Sequence, residues 1–170
     1  MAFTTPLFQE AGESQFIDKL MVVVHRDMKL ALDYFDRLEH SGVLVDNLPD
    51  FAVMARGKLS VFTFPLLNLA VERMSSSETE NGEWLSQDLT VGAGMIVEDV
   101  TVPAVHKKAE KYARAFKAVL RRDILECLPA ASSLVDYTLD IDDQYFEHGT
   151  KGTQFTQPVQ FEIKVKFGEK

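Results

Sequence analysis

The chain has 170 residues, 46% of them hydrophobic and 26% charged, with a formal net charge of -8. That length suits one domain with its own core, and the composition is that of a globular protein. The acidic balance speaks against a nucleic-acid binder, because phosphate contacts need clustered lysine and arginine. The only cysteine is Cys127, so an intrachain disulfide is excluded and a reducing compartment is expected.

The N-terminus, Met1 to Pro6, has neither a basic start nor a continuous apolar run, unlike a signal peptide. Residues 1–14 read as an N-terminal arm, with Ser14 as the cap of a first helix. Ile17, Leu20, Met21, Val24, Met28, Ala31, Leu32, Phe35 and Leu38 recur at steps of three and four, which predicts an amphipathic helix over residues 17–39. Ser41-Gly42 ends it. Residues 43–60 form an irregular insertion, with a short strand or helical turn at Phe51–Ala55.

Two alternating runs follow. Leu67, Leu69 and Val71 share one face of a strand, with Asn68, Ala70 and Glu72 on the other. Leu89, Val91, Ala93, Met95 and Val97 do the same in a second, and a polar connection over residues 75–82 predicts an antiparallel hairpin. Pro103 marks the first turn of a second helix and Pro129 stops it. Its apolar stripe is Val105, Ala109, Tyr112, Ala113, Phe116, Val119, Leu120 and Ile124, with Cys127 expected to be buried. Lys107, Lys111, Arg114 and Arg121 give its other side a basic character that is either simply solvated or a charged partner surface.

The last two runs are Leu134–Ile141 and Phe161–Phe167. Pairing them antiparallel sets Tyr137 against Val165, Leu139 against Ile163 and Ile141 against Phe161. That register puts Asp136 opposite Lys166 and leaves Asp140 facing Glu162, a like-charge contact. Asp136, Asp140 and Asp142 then form an acidic outward face. Between the runs, residues 143–157 carry Tyr145, Phe146 and Phe155 beside two glycines. This long connection is either an arm that docks on something or a longer hairpin whose aromatics fold back on their own sheet.

Chemistry is sparse. His25, His40, His106 and His148 are scattered without metal-ligand spacing, and Asp140-Ile141-Asp142-Asp143 lacks the glycine and closing glutamate of a calcium loop. Gly92-Ala93-Gly94 lacks the third glycine and the following helix of a dinucleotide fingerprint. No nucleophile elbow, Walker loop or paired-cysteine motif is present. The expectation is a protein that works by assembly, not an enzyme, with no cofactor and no metal.

The expected fold class is α+β: a mainly antiparallel sheet of about four strands with two long helices packed on one face, in the order α-β-β-α-β-β. That order, with Pro65–Arg73, Leu89–Asp99 running into a Pro-started helix, and the late Tyr137–Phe167 hairpin, resembles the tail terminator and tail-completion proteins of long-tailed bacteriophages. The resemblance spans roughly residues 15–168 and is one of layout, since that family has no invariant short motif. It implies a structural virion protein at the tail–neck junction, assembled in the host cytoplasm. Six copies would form a ring that caps the tail tube, ends its polymerisation and joins it to the neck. The implied partners are further copies of the chain, the tail tube protein, a neck or connector protein and, if the tail is contractile, the sheath protein. Neither a membrane nor a specific nucleic acid is among them. The candidate interface residues are Lys107, Lys111, Arg114, Arg121, Asp136, Asp140, Asp142, Tyr145, Phe146 and Phe155. The alternatives are another neck connector, stopper or tail-tube protein, or a small cytoplasmic ligand-binding or enzymatic α+β domain.

Overall fold

The structure is a computed structural model that describes residues 6–38, 51, 53–56, 63–78, 85–128 and 134–169. Helix α1 spans Pro6–Leu38, followed by strands β1 (Val53–Arg56), β2 (Leu66–Glu78) and β3 (Leu85–Asp99), then helix α2 (Val102–Cys127), and finally β4 (Leu134–Tyr145), β5 (Gly149–Lys151) and β6 (Gln154–Glu169). The sheet order is β1-β2-β3-β6-β4, with β5 attached to β6. Every pairing is antiparallel except β1 with β2. The fold is α+β, with both helices on one face of the sheet. The four expected strands are present, β1 falls where a short strand or helical turn is expected, and β5 is additional.

The first helix begins earlier than the periodicity predicts. Pro6 opens it, where a missing N–H costs nothing, so the expected arm is helical from residue 6 and Ser14 lies inside the helix instead of capping it. Of its apolar stripe, Ile17, Leu20, Val24, Met28 and Leu32 are buried, together with Phe16 and Val23, whereas Leu38 is exposed near the helix end. The Ser41-Gly42 stop lies outside the described residues, as does most of the 43–60 insertion. The part that is described, Val53–Arg56, resolves the strand-or-helix alternative in favour of a strand.

Helix α2 follows its predicted limits. Thr101 caps it, with Oγ1 accepting from Ala104 N at 3.3 Å, and Pro103 sits in the first turn. Thr101→Ala is expected to lower stability by about 1 kcal/mol in urea unfolding, because one helix-terminal N–H loses its partner; an unchanged midpoint would refute this role. All eight residues of the α2 stripe are buried. Cys127 is buried too, and burial pushes its thiol up to about 12, leaving it inert as a nucleophile.

The two helices run antiparallel, as Lys19 beside Leu128, Arg26 beside Glu126 and Asp36 beside Lys111 require. α2 lies over β3 and β6, and α1 packs beside it toward β2. Beneath them the inward rows Leu67 and Leu69, Leu89 to Val97, and Val159 to Phe167 complete one core. The predicted hairpin of β2 and β3 is present, with a bulge at Glu72 between the pairs Val71–Val91 and Arg73–Thr90. The bulge inverts the alternation, so Met74 packs against the core.

The closing pair has its expected faces but a different register. Tyr137 pairs with Phe167, Leu139 with Val165 and Ile141 with Ile163, a slide of two residues from the expected alignment. A slide of two preserves every side-chain face, so apolar alternation does not distinguish the two registers, and each register has one opposite-charge and one like-charge pair. In the observed register Asp140 faces Lys164, and the like-charge contact moves to Asp142 and Glu162. β6 also pairs with β3 along its length and so lies inside the sheet, leaving β4 at the edge.

Candidate functional site

Segment 143–157 is mostly strand, not a loop. Residues 143–145 extend β4, β5 returns along β6, and Gly152, with φ of 62°, closes a tight turn that favours glycine. The aromatics divide accordingly. Phe155 packs against the core, and its ring lies 5.8 Å from that of His148, which in turn meets His106 of α2 at 5.7 Å. Phe155 is therefore a fold-back contact, not a docking residue. Tyr145 and Phe146 remain exposed. Partial burial of its ring end, then the neighbouring Asp143 carboxylate, pushes the Tyr145 hydroxyl up to about 12, so it stays protonated at neutral pH.

The basic side of α2 is only partly a surface. Lys111 is 3% exposed and its Nζ lies 2.5 Å from Asp36 Oδ1, so it is an internal tie between the helices and is removed from the candidate interface. Lys117 bonds Asp143 at 2.8 Å, and Arg114 places its guanidinium over the Phe35 ring at 5.6 Å. Lys107 and Arg121 are exposed. The helix thus uses much of its charge to hold α1 and β4. Sequence periodicity marks a basic stripe without revealing which cations meet acids from elsewhere in the chain.

One such cluster escaped the sequence reading entirely. Arg26 bonds both Asp27 and Glu126, and Arg122 bonds both Asp27 and Asp123, which knits α1 to α2. Asp27 is buried, and the hydrogen bond from Arg26 holds its carboxyl below the usual range. A carboxyl whose folded pKa is depressed adds stability above its unfolded pKa, about 3.9, and that stability is lost as pH falls through the folded value. Stability should therefore fall as pH is lowered below about 5, and Asp27→Asn should flatten that fall. A variant with the parent's pH profile would count against this assignment.

The face of the sheet opposite the helices carries the remaining candidates. Asp140 and Asp142 are exposed there, with Glu72 and Glu162 beside them; Asp136 is exposed near the start of β4. Glu72 lies across Gly92 so closely that a Cβ at that position would collide with its carboxylate. Adjoining these acids is a shallow open hollow of about 420 Å3 lined by Leu66, Ala70, Gly94, Ile96, Phe146 and Pro158. The tip of β5 reaches toward the same end of the sheet, where Lys151 Nζ sits 4.6 Å from the Phe64 ring centroid. The open face therefore carries an acidic cluster at Glu72, Asp142 and Glu162, with Lys164 and Lys166 of β6 on one side of it and an apolar end on the other.

Among the described residues, no group of three or more His, Cys, Asp or Glu could hold a metal ion, and no helix is long and apolar enough to cross a membrane. No family model and no curated protein sequence matches the chain.

Proposed function

We propose that the chain is a structural assembly protein, a tail terminator of a long-tailed bacteriophage that forms a ring on the end of the tail tube. The observation that carries this reading is the placement of opposite charges on opposite layers. Lys107 and Arg121 are exposed on the helix layer, while Asp140, Asp142, Glu72 and Glu162 lie on the open sheet face and outnumber the cations Lys164 and Lys166 of β6 beside them. Complementary patches on two different sides of one subunit favour head-to-tail contact, and head-to-tail contact closes into rings when the rotation allows. Apart from the short strands β1 and β5, the order α-β-β-α-β-β with both helices on one face adds the layout that the resemblance implies. The proposed partners are further copies of the chain, probed as a hexamer, then the tail tube protein and a neck or connector protein. The ring would sit in the virion at the tail–neck junction.

Negative-stain imaging with light scattering tests the reading. Rings with a wide channel, formed alone or on purified tail tubes, are expected. The double variant Lys107→Glu/Arg121→Glu should abolish them without unfolding the subunit. A parent chain that stays monomeric even on tubes would overturn the proposal, and overlong tails after removal of the gene would support it strongly. The hollow over Gly94 favours a second reading, an apolar-ligand-binding domain. That reading requires saturable binding of a small apolar probe, abolished by filling the hollow with Gly94→Leu.

A further inference from the structure

β4 is the long edge of the sheet. Its 12 residues pair with β6 along one side, and among the described residues no strand pairs with the other. Apolar cover is incomplete at the same place. Inward residues of β3 and β6 are almost wholly buried, but in β4 Leu139 and Ile141 are only partly buried and Tyr137 is 38% exposed. The helices stop short of this edge: α2 lies over β3 and β6, and its contact with β4 is slight. One added strand would supply both missing parts, hydrogen bonds for the outer backbone groups and an apolar row beside Tyr137, Leu139 and Ile141.

We propose that β4 takes an extended segment of a different protein as the next strand of the sheet, apolar on the helix side and carrying lysine or arginine on the open side. The charge on β4 selects that partner. Asp140 and Asp142 point to the open face and are exposed, with Lys164 and Glu162 opposite them on the β6 side and no strand among the described residues on the outer side. A second β4 laid antiparallel would set acidic row against acidic row, which is unfavourable for directly opposed like charges. The opposite edge of a second copy, β1, offers four residues against twelve. Acids on an edge strand are a common guard against self-pairing. Here the same acids that turn away a second β4 attract a cationic strand.

This inference stands apart from the ring reading, since a monomer has the same edge. The test adds a short peptide alternating valine with lysine to the full chain and follows backbone hydrogen exchange, with light scattering as a check on association. Exchange of the β4 amides is expected to slow about tenfold or more while β2 is unchanged, and a peptide alternating valine with glutamate should have no such effect. Asp140→Asn/Asp142→Asn, at two exposed positions, should weaken the lysine peptide about tenfold and remove most of its salt dependence. The inference is overturned by unchanged β4 exchange at millimolar peptide, or by equal protection from the glutamate peptide. It is also overturned if β4 is fully protected beforehand, or if protection grows with protein concentration alone. Slowing by the lysine peptide in a chain that never forms rings would sink the ring reading and leave this one standing.

Discussion

Phe116→Ala is expected to remove about 3–5 kcal/mol of unfolding free energy. Phe116 is fully buried on α2, and its ring meets Phe161 of β6 at 4.9 Å between centroids and 62° between planes. It therefore joins the helix layer to an interior strand of the sheet. Truncation to alanine loses the transfer free energy of a buried ring and the edge-on aromatic contact, and leaves a cavity between rigid layers that collapse only partly. Against the usual total of about 5–15 kcal/mol, that is a fifth or more of the stability of a typical domain. The midpoint in urea should fall sharply with an unchanged slope, and Phe116→Leu should lose far less. Similar losses for the two variants would mean that ring packing is not what this site contributes.

Lys111→Ala should cost about as much, about 3–5 kcal/mol, for a different reason. The ammonium is buried and lies 2.5 Å from the Asp36 carboxylate, itself mostly shielded between the helices. Removing the cation leaves a carboxylate in a poorly solvated place without its counter-charge, and Lys111→Glu should be worse. The double variant Lys111→Met/Asp36→Leu should recover most of the loss, since two apolar side chains need no desolvation of charge. A single variant as stable as the parent, with its pH profile unchanged, would refute the buried-pair account. Charge reversal here therefore tests folding, which is why Lys107 and Arg121 are the positions that probe assembly.

The sequence made the layers legible because each element shows its own period. The stripe from Val105 to Ile124 and the alternation from Leu89 to Val97 place their core faces correctly. What local pattern lacks is anything long-range. The two-residue slide of β4 on β6 leaves all faces unchanged and exchanges one opposite-charge and one like-charge pair for another, so neither alternation nor charge reveals it. The position of β6 between β3 and β4 depends on a partner more than fifty residues away in sequence. In the candidate site, Asp140 and Asp142 lie at the surface as the alternation suggests, and Tyr145 and Phe146 of the long connection are exposed as well. Lys111 does not, because its burial depends on Asp36 in the other helix. The Arg26–Asp27–Arg122 cluster was invisible for the same reason: charged residues on helix exteriors look alike until the helices are placed together.

The central place of β6 also sets an order of events during synthesis. β6 follows every other described element in the chain, yet it supplies the strand between β3 and β4. The β2–β3 hairpin and the α1–α2 pair can form while the nascent chain is still growing, but β3 and β4 then each wait with an apolar edge uncovered. Closure comes in one late step that joins both flanks at once, through contacts distant in sequence on the β3 side and hairpin-like on the β4 side. Until that step the half-made sheet is a template for any strand nearby, so the interval before β6 emerges is when this chain most needs protection from its own copies.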